Sequence, residues 1–476
     1  MFLLISRPGT RCFAFLFLAG CSAQAPLPEA PRAIEGQYKG APRSPDLQRP
    51  SSEWWREFSS AELNRLQDAA LANNRDLQAA IARVAQANAQ ARVTESAQFP
   101  SVEASGRREA EGPRVGVGLA ETKNEWDQLN RYRVGARVNY EADLWGKSGY
   151  ATESALAQAL ASVHQRETVA LTMTADLATA YLEYLSLGER RAISDRAVVS
   201  RRNQLLAVDK RLQRGDATAL EVTQLRVTVA TAESASAAFQ QRHERTFNRI
   251  AVLAGTTPAE LKLEANGLAG LGIPAIDPGL PSELLCRRPD VRRLEAQLLA
   301  AEFDVRSLRA SLLPSFSLLG EIGFGSRHLA ALSNPASLFF LATGGTLQSV
   351  FDAGRKEGQI ELARAKHLEL LHQYTGTLQT ALRDVEDALA ATRLTGEQHR
   401  ATVDASRAAQ ANYVLNRRSY EVGAVDYVQL LESEQRAVNA EDSEAAALHD
   451  RMRAAVDLFR ALGGGTRPPS GGACGK

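Results

Sequence analysis

Residues 131–144 read RYRVGARVNYEADL, and taking every second one sorts them into two sets. Tyr132, Val134, Ala136, Val138, Tyr140, Ala142 and Leu144 are apolar or aromatic, while Arg131, Arg133, Gly135, Arg137, Asn139, Glu141 and Asp143 carry five charges. A period of two belongs to a strand with one dry and one wet face. Strands in soluble domains mostly stop near about five or six residues. These fourteen residues at about 3.3 Å each reach roughly 45 Å, or about 35 Å of height at a tilt near 40°, which fits a bilayer. A long amphipathic strand in a soluble sheet has the same spacing, so the pattern needs support from the rest of the chain.

That support comes from an internal duplication. Residues 74–101 align without gaps on 288–315, with Asp76, Ala82, Ala87, Arg92, Pro100 and Ser101 meeting Asp290, Ala296, Ala301, Arg306, Pro314 and Ser315 at an offset of 214. Gly146-Lys147 then meets Gly354-Arg355, and 215–233 meets 423–441, at an offset of 208. The change of offset places a deletion between Ser315 and Gly354. Two long copies are a duplication rather than a solenoid. Each copy reads helix, strand, loop, strand, long helix, turn, helix.

In the first copy the apolar spacing predicts a helix over 60–97, ended by Phe99-Pro100 because Pro cannot continue it. Strand 101–109, a polar loop to 130 and the opening strand follow. A helix then runs from Gly146 to about Arg214, on the order of 100 Å at 1.5 Å per residue, with an interruption predicted at Leu187-Gly188. After the turn Arg214-Gly215-Asp216 comes helix 217–254. The second copy has helix 290–312, strand 314–325 with Phe316, Leu318, Ile322 and Phe324 on one side, loop 326–336, strand 337–351, helix 355–420, turn 422–426 and helix 427–462. The domain reading is 1–20 signal peptide, 21–57 lipidated N-terminal segment, 58–263 first repeat, 264–282 Gly- and Pro-rich linker, 283–462 second repeat and 463–476 disordered tail. Ala-rich stretches such as 79–91 and an aromatic content of only 6% favour long, closely packed helices over a bulky globular core.

No run of eighteen apolar residues occurs, so no transmembrane helix is predicted and a membrane form must be a barrel. Four strands per chain fall short of the smallest usual barrels, and open edges are not tolerated in lipid, so closure requires several copies. A dimer or a trimer both satisfy this.

The N-terminus reads as a targeting segment. Arg7 and Arg11 precede the short apolar run Phe13–Leu18 and then Leu18-Ala19-Gly20-Cys21, the layout of a bacterial secretory signal. Its end resembles the lipobox of lipoproteins, which makes Cys21 the lipidation site, and Ser22 after it favours outer-membrane sorting by the same analogy. Removing 1–20 takes away two Arg and shifts the formal charge from +1 to about −1. Cys12 leaves with the signal, so only Cys286 and Cys474 remain beside the lipidated cysteine. Two cysteines so far apart do not suggest a disulfide scaffold, and without a CxxC pair no structural zinc site is expected.

Catalysis finds no footing. His367 and His372 stand five apart, unlike an i,i+4 metal pair, and there is no GxSxG, Walker loop or HExxH motif. Asp and Glu are interspersed with Arg along the helices, as solvated faces are. The balanced charge gives no footprint for nucleic acid. Neither an enzyme nor a bound cofactor or metal is expected. The competing class is a periplasmic coiled-coil scaffold or adaptor, which accounts for the helices but not for paired strands after each Pro.

Leu284-Leu285-Cys286-Arg287-Arg288-Pro289-Asp290-Val291, running on to Leu313-Pro314, closely resembles the inter-repeat signature of the TolC/NodT-type outer-membrane efflux lipoproteins. Tyr140–Lys147 (YEADLWGK) and Phe351–Arg355 (FDAGR) are similar to that family's strand-to-helix junctions, and Ser419–Gly423 with Leu430–Ser433 to its second periplasmic turn. Ser349 stands where the family usually has Pro, and Gln213 where it has Tyr. The resemblance implies the outer-membrane exit duct of a tripartite resistance-nodulation-division efflux system. The duct is a homotrimer with a twelve-stranded transmembrane barrel continued by a long α-helical periplasmic tunnel, working with a periplasmic adaptor and an inner-membrane pump. Arg133, Arg137, Asn139 and Glu141 would face its lumen. Arg214 and Asp216 in the first turn, and Asp426, Tyr427 and Glu432 in or after the second, are candidates for the gate and adaptor-docking end, against the plainer reading that the acids only cap helices.

Overall fold

The computed structural model describes residues 26–28, 37–39, 51–111, 129–265 and 267–464. The signal peptide, Cys21, the β1–β2 loop (112–128) and residues 465–476 of the tail lie outside them. Each copy builds the same series. The first has α1 (Ala61–Asn73), α2 (Arg75–Glu95), β1 (Ser101–Glu111), β2 (Leu129–Ala142), α3 (Lys147–Gln213) and α4 (Ala219–Leu253). After a one-turn α5 (Leu284–Arg287), the second has α6 (Pro289–Ala310), β3 (Ser315–Ser326), β4 (Leu338–Leu347), α7 (Arg355–Glu421) and α8 (Tyr427–Ala461). The duplication is exact in length where it matters: α3 and α7 both have 67 residues, and α4 and α8 both have 35. Both long helices start behind a left-handed glycine, Gly146 at φ 77° and Gly354 at φ 80°, a conformation that costs glycine nothing.

Three expectations need correction. The predicted break at Leu187-Gly188 is absent, and α3 runs through it. An interior Gly costs only about 1 kcal/mol, and Leu187 before it and Ile193 after it are buried. Helix 60–97 is instead divided at Asn74, whose extended backbone ends α1 while its side chain accepts from Leu77 N–H and donates to the Leu253 carbonyl at 2.9 Å. Cys286 is disulfide-bonded; the other three cysteines of the sequence all lie outside the described residues. Strand ends also shift: β2 begins and ends two residues earlier than the alternation suggested, and β4 stops at Leu347.

The strands form one antiparallel sheet in the order β1-β2-β3-β4. β2 and β3 pair across the seam between copies, with Gly135 opposite Gly323. Among the described residues β1 and β4 have no neighbour along their outer edges. Below the sheet the helices keep the strand order: α2 and α4 pack on α3, α3 on α6 and α8, and these on α7. A belt across the middle holds the main core, where Trp54 stacks on Phe459 at 5.0 Å and Phe58, Leu63, Tyr181, Ile250, Leu284 and Val385 are buried. The linker belongs to this belt, through Leu268 and Ile276. So does Tyr38, whose phenol burial pushes well above its ordinary pKa.

Candidate functional site

The register carries the alternation of β2 through the whole sheet, because directly paired residues share a face. Val134, Val138, Phe324, Ile322 and Leu318 fall on one side, joined by Val102, Phe340 and Leu338. All eight are exposed in the single chain, Phe340 to 84%. On the other side stand Arg133, Arg137, Asn139 and Glu141 with Glu103, Arg107 and Glu321. These polar groups neutralise one another. Arg137 pairs with Glu321 at 3.3 Å across the seam, Arg107 with Glu109 at 3.3 Å, and Glu141 with Lys147 at 2.9 Å. Arg133 lies over the Phe339 ring at 5.6 Å. The result is a polar wall without a dominant sign.

At the far end, each long helix turns through a left-handed glycine, Gly215 and Gly423. Arg214 is the exposed C-cap of α3, and the Asp216 carbonyl accepts from Arg211 Nη2 at 3.0 Å. Asp426 is the N-cap of α8, accepting from Gln429 N–H at 2.8 Å. Glu432 pairs with Arg436 one turn on, both exposed. Four of the five sequence candidates therefore cap or decorate their own elements within the chain. Tyr427 differs: half-buried, it packs its ring against Tyr420 at 5.6 Å and reaches Gln204 Oε1 at 3.5 Å. Burial raises its pKa to about 12, so it stays a phenol donor.

Tyr427 is the lowest member of a polar ladder between α3 and α8 that sequence reading missed. Ser200 and Gln204 donate to the two oxygens of Glu434 at 2.5 and 2.6 Å, and Arg201 donates to Gln435 at 2.5 Å. Higher up, Arg196 meets Glu441, and Arg190 binds Asp442 through two bonds of 2.7 and 2.8 Å. Arg211 reaches the Tyr420 hydroxyl at 3.5 Å. Glu434 is 6% exposed. A signal for it existed: Leu430, Glu434 and Ala437 share a helix face by spacing, whereas Glu432 is about 200° away. Among the described residues no cluster of His, Cys, Asp and Glu suits a metal ion, and no helix is long and apolar enough to cross a membrane.

A two-faced sheet on a helical stem is also what known proteins of similar sequence show. The family model described as outer membrane efflux protein matches twice, over residues 66–256 and 280–464. The pyoverdine export outer membrane protein OpmQ of Pseudomonas putida is 32% identical over 459 residues, covering 96% of this chain and 97% of its own. Outer membrane protein OprJ of Pseudomonas aeruginosa is 31% identical, with 94% of each chain covered. The solved outer-membrane channel OprN superposes with a TM-score of 0.83 at 27% identity, over 92% of this chain and 98% of its own. Two matches of one family model, on one chain built twice from one plan, leave a scaffold or adaptor without support. The chain belongs to the outer membrane efflux protein family, and it is an efflux channel of the outer membrane.

Proposed function

We propose that three copies of this chain close one barrel and conduct small molecules passively from a periplasmic adaptor and inner-membrane pump to the outside. The observation that carries this is the open sheet. Its apolar face suits lipid, its polar face suits water, and its edges β1 and β4 have no partner among the described residues. Lipid does not tolerate such edges, so β4 of one copy pairs with β1 of the next. Arg133, Arg137, Asn139 and Glu141 then line the lumen. No motif for nucleotide binding or catalysis is present in the sequence, which is consistent with a duct driven by a partner. Cys21 is lipidated as a second anchor, and the two repeats meet at the linker 264–282.

The closed end of the duct is held by the ladder between α3 and α8, with Tyr427, Gln204 and Glu434 at its foot. Arg214, Asp216, Asp426 and Glu432 sit at the rim, where an adaptor reaches them. The test is the purified full chain in planar bilayers. Chemical cross-linking is expected to trap trimers, and these to give a small, steady conductance. Monomers without conductance in a preparation with native helix content would overturn the proposal.

A further inference from the structure

Just below the strand-to-helix junctions three guanidinium groups gather, and one of them lacks acceptors. Arg306 and Arg309 lie one turn apart on α6, and Arg364 stands on the facing stretch of α7. Arg309 has Nε and Nη2 buried without a hydrogen-bond partner. Burial, and then the charges of Arg364 and Arg306, hold its pKa below the ordinary guanidinium value. Glu302 is already engaged by Arg306. His367 beside it is 4% exposed, with Nδ1 also unpartnered. A desolvated guanidinium among like charges is costly unless an anion completes it.

The surroundings indicate where that anion comes from. Phe316 shares the apolar face of β3 with Leu318, Ile322 and Phe324, and the Trp145 ring lies against it at 6.4 Å. The Tyr150 ring covers Gly146, the next residue. Phe303 stacks on Tyr150 at 6.4 Å, and the Arg306 guanidinium sits over both rings at 6.0 and 5.6 Å. An aromatic path thus runs from the apolar strand face down to the basic cluster. Asp304, which bonds Ser154 at 2.5 Å, is about 200° around α6 from both Glu302 and Arg306 and lines a cleft on the opposite flank. Arg309 is six residues from the start of β3 and Arg364 nine from the start of α7. At about 1.5 Å per residue both lie within roughly 15 Å of the barrel rim, within reach of headgroups for long side chains that snorkel.

We propose that Arg306, Arg309 and Arg364 form a binding site for the phosphate of an anionic phospholipid in the periplasmic leaflet, one site per chain. The inference rests on the reading that the apolar strand face meets lipid. Guanidinium groups match phosphate through paired hydrogen bonds, and an aromatic belt beside them is the usual setting of a membrane interface. The headgroup supplies the acceptors that Arg309 lacks, and the acyl chains lie along Phe316 and the strand face above it.

The test is native mass spectrometry of the full chain in detergent. It is titrated with phosphatidylglycerol, with phosphatidylcholine of the same acyl chains, and with inorganic phosphate. Phosphatidylglycerol is expected to bind several-fold more tightly than phosphatidylcholine, with inorganic phosphate unable to displace it. Replacing Arg309→Gln and Arg364→Gln together is expected to weaken phosphatidylglycerol by about tenfold or more. If that pair fails to assemble, the exposed Arg306→Gln provides the same comparison. Equal binding of the two lipids, or an unchanged titration in the variants, overturns the site. Displacement by inorganic phosphate shows a free-anion site instead. An equal loss of oligomer stability with and without lipid shows that a second copy's carboxylate is the partner, and either result overturns the lipid. In the same preparation, a cysteine at Ile322 shielded from a water-soluble thiol reagent in nanodiscs keeps the lipid-face reading standing by itself.

Discussion

At the scale of single residues, contact matters more than charge. The sequence marks Asp216, Asp426 and Glu432 as gate candidates and passes over Glu434. The packing separates Asp426 and Glu432, which serve their own helix, from Glu434, which accepts from two residues of α3. Removing one partner of a buried charge-assisted bond costs about 1.5–3 kcal/mol. Glu434→Ala is therefore expected to raise single-channel conductance, or the frequency of openings, in planar bilayers, whereas Glu432→Ala leaves both near wild type. The opposed glycines of the seam make a second case. A Cβ on Gly135 would stand 2.4 Å from the Ile322 carbonyl oxygen, while one on Gly106 meets nothing within 4 Å. Gly135→Ala is expected to cost about 1–3 kcal/mol and to lower the temperature at which oligomers dissociate in detergent gels. Gly106→Ala is expected to leave that temperature unchanged. Acid sensitivity belongs here too. Burial, the largest cause in each case, lowers the pKa of His243, His367 and His399 below 6.5. Each stays neutral in the fold but takes up a proton when unfolded. Stability is then fully present above about pH 6.5 and falls as pH drops through the folded values. Thermal unfolding from pH 7.5 to 5 is expected to show this decline, and His367→Gln to flatten part of it.

At the scale of elements, the period of two made β2 and β3 legible, and Pro100 and Pro314 with the duplication placed β1 and β4 beside them; the order of the sheet came only from the structure. The β2 alternation survives intact in the register. It predicts that cysteines at 133, 137 and 139 react with a water-soluble thiol reagent and those at 134, 136 and 138 do not, with Val138→Arg costing about 2–4 kcal/mol near the midplane. Labelling of both sets alike would remove the membrane assignment of β2. What stayed illegible were helix interruptions, because local propensity differs little between tolerated and broken sites. Gly188 passes unnoticed inside a helix hydrogen-bonded on both sides, while Asn74, a residue with ordinary helix propensity, breaks one because its side chain finds Leu77 N–H and the Leu253 carbonyl. The second of these partners is 179 residues away, beyond the reach of any local window. The ladder between α3 and α8 was hidden for the same reason, since it joins the two copies at separations above 200 residues.

At the scale of the whole molecule, duplication gives one chain two of everything along the tunnel, and the matched lengths of α3 with α7 and of α4 with α8 bring both turns to the same depth. The sheet edges then decide how defects are inherited. In the proposed trimer β1 and β4 pair only with other copies, so cells carrying two alleles would build mixed trimers. A variant that still joins but blocks the lumen spoils every ring it enters. With equal expression only about one ring in eight is then wholly normal. A variant that cannot pair its edge, such as one with Pro in the middle of β4, is excluded from assembly and leaves the normal copies to each other. Obstruction is therefore dominant and edge failure recessive, two outcomes that drug-susceptibility assays of merodiploid strains can separate without purifying the channel.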